Sequence, residues 1–531
     1  MQLKSRIKNN SNRYGLIEIP VPTLPRFTII PSEKNKHFVI LLDDVIRFCL
    51  KDNFAAFNYT PSSAYSIKLT RDAELDIESD FNENLMEKIS RGLKKRLKGQ
   101  PVRLVFDEKI PADLLKYLME RIKLTKKDNP IPGGRYHNFR DYINFPILSN
   151  KKWIYDHPAP LNHPALTDST KSMLKTIREK DILLTYPYQN FNHIIGLLRE
   201  ASIDPEVQSI KIALYRIADV SKIANVLINA VKNGKQVTVL MELRARFDEE
   251  NNINWTNRFQ EEGVRVIFGV PGMKVHAKLF LITARVNGSE ILYAHAGTGN
   301  FNEKTAKIYS DISLLTCDIR ITSEIKKLYD YFENNFSSVS FKNLLVAPFN
   351  MRDKFLALIQ KEIDFAKKRK PASITIKVNN LVDREMILAL YKASKAGVKI
   401  KLIVRGICSL CTDMEGWSEN ISGISIVDKY LEHARIFVFN HGGAEKIFIS
   451  SADWMSRNLD NRIEVACPIY NESIKQEIKD LLNIQLSGNV KARLLEKRTQ
   501  IEYKIRAKGE KPFRVQLETF KYFKKLLPES I

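Results

Sequence analysis

Apolar positions along this chain follow two periods, and the order in which the periods alternate divides the sequence. Through the first 160 or so residues, short runs of either kind mix. Residues 38–48 carry helical spacing, whereas 65–70 and 102–106 alternate or run apolar as strands do. A Pro- and His-rich passage at 156–164 then reads as a linker, with His157 and His163 as loop residues. From about Asp181 the order becomes strand, helix, strand, and it is written twice. Residues 210–214, 221–232 and 237–241 give one copy; 374–378, 383–395 and 400–404 give the other. The helix ends match as well, Ala-Val-Lys-Asn-Gly at 230–234 against Ala-Ser-Lys-Ala-Gly at 393–397. Each Gly falls where the residue after a helix turns to positive φ. Crossover units of this kind predict a duplicated α/β region built on mixed sheets. From Ile484 onward the pattern predicts a basic surface helix carrying Lys491, Arg493, Lys497 and Arg498.

The duplication gives weight to residues that alone would mean little. His276-Ala-Lys278 and His433-Ala-Arg435 each run straight into an apolar stretch. Small-residue turns follow, Gly-Thr-Gly-Asn at 297–300 and Ser-Ser-Ala-Asp at 450–453, and eleven residues beyond each turn stands an acid, Asp311 or Glu464. Residues i and i+2 share a face of a strand, so a His and a cation so spaced can hold a phosphoryl group between them. Two such strands facing each other would make a phosphate-handling cleft with two histidines. Ligands of α/β sheets gather beyond the carboxyl ends of strands, which brings Arg216, Arg244 and Arg246 toward His276 and sets Arg405 at the matching place in the second copy. Guanidinium groups grip phosphate in bidentate fashion and keep their charge, and phosphoryl transfer depends chiefly on such positioning and neutralisation. An imidazole suits the nucleophile, with the second His as acid or electrostatic partner to the leaving oxygen. His37, His137, His193 and His441 lack this context. His295 lies close to the first turn, where buried support and chemistry are equally open, and Tyr309 is equally readable as a face for phosphates or a core residue.

Composition narrows the classes. At 531 residues the chain has room for two to four domains, and 44% hydrophobic residues suffice for real cores. A formal charge of +23 attracts polyanions without choosing among nucleic acid, a phospholipid surface, nucleotide or a phosphate chain. Cys49, Cys317, Cys408, Cys411 and Cys467 form no disulfide framework, and the lone Cys408–Cys411 spacing has no second pair to make a zinc site. No apolar leader opens the sequence and no run reaches membrane-spanning length, so the expectation is a cytoplasmic protein, soluble or at most peripheral to a membrane. Neither a Walker A pattern nor the protein-kinase signature occurs.

Taken together, these passages resemble the polyphosphate kinase family, of phospholipase-D-like type, from about residue 15 to 480. The resemblance rests on 65–75, 210–218, 242–249, 297–302, 404–408, 431–435 and 451–459. It implies an α/β protein: an α+β head region at 1–162, without the family's N-terminal helical domain and the opening of the head, then two duplicated phospholipase-D-like α/β domains with mixed sheets at 163–343 and 344–531. It further implies magnesium-dependent, reversible transfer of the terminal phosphate of ATP to inorganic polyphosphate, with His276 as the phosphorylated nucleophile and His433 as the second essential histidine, near the nucleotide. Tyr309 and Arg405 would contact nucleotide phosphates. Arg216 and Arg246 match the family's magnesium–phosphate site. An arginine cannot ligate a cation, so these two would hold the phosphates that bind Mg2+. The implied partners are ATP or ADP, polyphosphate and a second copy of the chain, with no nucleic acid. Two departures stand out: Thr412–Trp417 replaces a Pro/Gly turn, and Asp428-Lys429 stands where the family usually has Gly-Arg. A phospholipase-D-like phosphodiester hydrolase shares the paired histidines but not Arg435, and a non-catalytic polyanion binder would suit the charge.

Overall fold

Why the strands of the repeated region sit in the middle of sheets is plain from their composition: Ile182–Tyr186, Lys278–Val286, Arg435–Phe439 and Arg462–Ile469 are almost wholly buried and need cover on both faces. The computed structural model describes residues 1–6, 13–21, 23–33, 36–57, 59–71, 86, 101–125, 128, 130–146, 148, 154–168, 170–245, 248–334, 338–412, 414–495 and 502–527. They fall into two compact units, Met1–His157 and Pro158–Ile531.

The first unit holds small antiparallel and mixed sheets. Ile67–Arg71, Pro101–Asp107 and Ile131–Gly133 form one of them, and Leu104, Phe106 and Leu124 pack there with Leu115 and Leu118 of the helix Ala112–Arg121. The helical spacing at 38–48 is only half realised. Phe38–Leu41 is a strand paired with Phe27–Ile30, and the helix begins at Leu42 and ends at Phe48. A continuous apolar, partly β-branched run favours strand, while Asp43 and Asp44 suit a first helical turn.

In the second unit the duplication is literal. The first sheet runs Arg265–Ile267, Gln236–Met241, Val207–Leu214, Lys278–Val286, Ser289–Gly297, Tyr309–Thr316, with Ile182–Tyr186 antiparallel on the last. The second runs Ile421–Ile426, Lys399–Val404, Ser373–Val378, Arg435–Phe439, Lys446–Ser450, Arg462–Ile469, with Leu345–Ala347 antiparallel on the last. In each, three strands are parallel and the remainder antiparallel. The crossover helices Lys222–Lys232 and Arg384–Lys395 are capped alike, Ser221 accepting from the Ala224 N–H and Asp383 from that of Met386. Gly234 and Gly397 close them at φ +80° and +91°.

Two short strands leave their own half. Lys274–Val275 pairs in parallel with Arg462–Ile469 of the second sheet, and Leu431–Glu432 with Tyr309–Thr316 of the first. The register then hands each following histidine across: His276 and Ala277 donate their N–H groups to the Ile463 carbonyl, His433 and Ala434 theirs to that of Ser310. One core runs beneath both crossings, joining Leu279, Leu281, Ile312 and Leu314 to Ile436, Val438, Ile463 and Val465.

The tail departs from the expected surface helix. The helix Glu472–Leu486 ends early, Lys491 takes φ +61°, and Arg493 lies in the edge strand Ala492–Leu494, paired with Ile421–Ile426. A final helix, Val515–Lys525, buries Val515, Gln516, Thr519 and Phe523. Just beyond the end of Glu472–Leu486, Gly488 lets the last helix approach, since a Cβ there would stand 2.4 Å from a Val515 methyl. Lys497 and Arg498 lie outside the described residues. All five cysteines are free thiols. Among the described residues no helix is long and apolar enough to cross a membrane.

Candidate active site

Crossing the strands pairs each histidine with the acid of the other half. His276 Nδ1 lies 2.9 Å from Glu464 Oε2, and His433 Nδ1 lies 2.8 Å from both oxygens of Asp311. Glu464 has no exposed side-chain surface. It is held at one oxygen by the Ser451 hydroxyl (2.5 Å) and at the other by the Asn458 amide (2.9 Å). Burial alone would raise its carboxyl, but His276, Lys278 and Ser451 outweigh burial and the net shift is downward. Asp311 follows the same balance, with Thr298 donating to it at 2.6 Å. Gly299 is required beside it, because a Cβ there would stand 2.3 Å from Asp311 Oδ2.

Burial disfavours the protonated form of both imidazoles. Burial drives the His276 ring down to about 3 despite Glu464, and lowers His433 despite Asp311. A carboxylate on Nδ1 fixes the proton there and leaves the Nε2 lone pair for chemistry. His276 keeps 13% of its side chain exposed. Tyr215, just past the strand Val207–Leu214, stands edge-on to the ring with centroids 4.7 Å apart. Tyr309 lies against His433 with centroids 5.1 Å apart.

The cations behind the two rings differ. Lys278 is buried, turns its ammonium to the His276 carbonyl and the Tyr215 face, and burial lowers its pKa well below the usual lysine range. Arg435 donates to the His433 carbonyl (2.9 Å), and Nη1 stands 3.3 Å from His433 Nε2. Its other side pairs with Asp453 at 3.2 Å. Asp453 also receives the Asn379 N–H at 2.7 Å, while the Asn379 amide donates to the His433 carbonyl at 3.0 Å. Arg405 joins through Nε, to Asn379 Oδ1 (3.0 Å) and the Glu432 carbonyl (2.6 Å).

The structure therefore gathers Tyr309 and Arg405 around His433. Arg216 stands one residue from Tyr215, paired with Asp248 at 2.9 Å, and Arg244 is turned to Glu242 and, at 2.6 Å, to the Met273 carbonyl. Arg246 lies outside the described residues. His295 is structural: the Ser313 hydroxyl meets its Nε2 at 2.8 Å and the Lys278 carbonyl its Nδ1 at 3.2 Å. Sequence reasoning missed Tyr215, Asn379, Asn458 and Arg462, the last 3.8 Å from Glu464. Arg462 alone carried a signal, since Arg-Ile-Glu in a strand places 462 and 464 on one face. Among the described residues no three His, Cys, Asp or Glu side chains gather as a metal cage. The guanidinium groups gathered here suit phosphate oxygens, and an arginine cannot ligate a cation.

Three family models match in tandem: the polyphosphate kinase middle domain over residues 1–145, its C-terminal domain 1 over 172–338 and its C-terminal domain 2 over 344–516. The polyphosphate kinase of Vibrio vulnificus strain YJ016 is 49% identical over 515 residues, 96% of this chain and 73% of that protein. That of Escherichia coli strain K12 is 46% identical over 525 residues, 98% of this chain and 76% of its own. Among solved structures, polyphosphate kinase from Porphyromonas gingivalis matches with a TM-score of 0.85 at 36% identity, covering 99% of this chain and 77% of that one.

Proposed function

Because the chain belongs to the polyphosphate kinase family, we propose that it moves the terminal phosphate of ATP reversibly onto inorganic polyphosphate, in two displacements through a phosphohistidine on His276. In the first, the His276 Nε2 lone pair attacks the γ-phosphorus; the N–P bond forms as the bond to the β-phosphate bridging oxygen breaks, and ADP leaves with that electron pair. In the second, a terminal oxygen of the polyphosphate chain attacks the same phosphorus, the N–P bond breaks, and the pair returns to Nε2. No net proton is consumed. Glu464 keeps His276 in the reactive tautomer, and holding the ring supplies orientation that a free imidazole lacks.

His433, Arg435 and Arg405 take the charge of the nucleotide phosphates, with Tyr309 at their edge. The triphosphate of a bound nucleotide raises the affinity of His433 for a proton, so the ring can pass one through Nε2 to the leaving ADP oxygen, which gives it back to solvent as ADP ionises. Magnesium enters this reading as the companion of the nucleotide's phosphates, where it neutralises charge. Arg216, and Arg246 by its place in sequence, would hold those phosphates, not the ion.

The observation that carries the reading is the 2.9 Å contact between His276 Nδ1 and a fully buried, hydrogen-bonded Glu464. Incubation with γ-labelled ATP and magnesium tests it. Acid-labile, base-stable label on the native chain, growing labelled polymer and neither in His276→Ala are expected. Near-normal polymer synthesis by His276→Ala would sink the mechanism. Release of free phosphate without polymer would favour a hydrolase instead.

A further inference from the structure

The stretch that delivers His433 is anchored in a way that its counterpart is not, and the anchor comes from the last helix. Val275 and Glu432 each stand directly before a histidine, and Ala213 and Lys377 each stand next to last in the corresponding strand. In the first half both positions are apolar and lie in the shared core. In the second they form an ion pair, with Lys377 2% and Glu432 3% exposed. Every remaining polar atom of that pair is met by a glutamine. Gln485 donates to Glu432 Oε2 at 3.1 Å and accepts from Lys377 at 2.9 Å. Gln516 donates to Glu432 Oε1 at 2.9 Å.

Gln516 does more. Its amide accepts the Tyr430 N–H at 2.8 Å and donates to the Tyr430 carbonyl at 2.9 Å, pairing with the backbone as a neighbouring strand would. Two residues earlier, Arg514 grips Asp428 with two bonds of 2.8 and 2.6 Å, at the position where the usual Gly-Arg is replaced. The first half builds the same sheet with Ala and Val, so the fold does not require the ions. Burying them costs desolvation, and such groups are best attested as devices that fix register. The register they fix is that of 430–433, which ends on His433 and whose Glu432 carbonyl receives Arg405.

We infer that Gln516 is a positioning residue for His433, acting through Glu432 and the Tyr430 backbone, so that the final helix belongs to the active-site machinery. This rests on the role given to His433 above. Gln516→Met keeps length and packing and removes all the hydrogen bonds. It is expected to slow ATP-driven labelling of His276 by on the order of 10- to 100-fold, with little change in the KM for polyphosphate. In a His433→Ala background the same change should slow it no further. The reciprocal pair Glu432→Gln with Gln516→Glu, which restores a carboxylate–carboxamide contact beside Lys377, should recover part of the rate. A purely structural role would instead lower the melting temperature and leave the rate of the folded protein alone. Folded Gln516→Met at the native rate, or equal slowing with and without His433, overturns the inference. Should that variant not fold, Arg514→Gln loosens the same anchor at a partly exposed side chain and should slow labelling several-fold; an unchanged rate there overturns it equally. Native activity in His433→Ala would overturn the reading of His433 itself, whereas loss there with none at Gln516 would overturn this inference alone.

Discussion

The two halves of the catalytic unit share a sheet order and a crossover helix, and they differ wherever a histidine is held. At the end of the second parallel strand, Glu242 accepts the N–H of Val275 at 2.9 Å, whereas Arg405 donates to the carbonyl of Glu432. The same tether is made twice with opposite charge. Likewise Lys278 and Arg435 each reach the carbonyl of the histidine two residues before, but Arg435 also stands beside the ring of His433. The second half thus sets a guanidinium 3.3 Å from the Nε2 of its histidine, where the first half sets an ammonium on the backbone instead. The difference teaches that duplication supplied the frame, and that small reversals at strand ends set the two histidines in unlike electrostatic surroundings.

The sharpest way to break this comparison is to exchange the losses. His276→Ala should abolish labelling and synthesis altogether. His433→Ala should spare the folded frame and cut the rate of labelling, as rapid acid quench would report. Next come the crossed acids. Glu464→Gln should disable the histidine of the first half and Asp311→Asn that of the second, each by roughly two to four orders of magnitude, as when the carboxylate behind a catalytic imidazole is neutralised. If Glu464→Gln affected ATP affinity and spared labelling, the crossing would be chemically empty. Arg405→Ala should raise the KM for ATP by about tenfold, the scale of a lost charge-assisted contact, in a protein that still folds.

A smaller effect sharpens the contrast at the added helix. Glu477, in the helix against which Val515–Lys525 packs, is pushed up to about 7, by burial first and by Asp480 second. A carboxyl raised in the folded state lends stability that is full below its ordinary value near 4.5 and lost as pH rises through 7. Melting temperature should therefore fall by a few degrees across that window, and Glu477→Gln should flatten the fall.

Much of this was legible in the sequence. Continuous apolar strands and glycine-closed helices announced the repeat, and paired His-Ala-Lys and His-Ala-Arg motifs marked the two loops. The partner of each acid was not legible. Asp311 and Glu464 sit at equal offsets within their own halves, and only the departure of Lys274–Val275 and Leu431–Glu432 to the opposite sheet decides which ring each one meets. Tyr215 and Asn379 stayed hidden for a similar reason: both stand one residue past a strand, where neither period applies. The tail misled because its basic residues suit a solvated helix and a short edge strand equally, and the helix stops at Leu486, before they begin.

The crossed strands also govern when the chain becomes active during its own synthesis. When the ribosome has finished the first half, His276 has been made but Glu464 has not, and the ring has nothing to hold its tautomer. On the proposed mechanism, a product stopped before the second half would lack the carboxylate that orients its histidine. On that mechanism the ring is set for attack only once Arg462–Ile469 has closed against Lys274–Val275, so the first transfer waits on the second half of the chain.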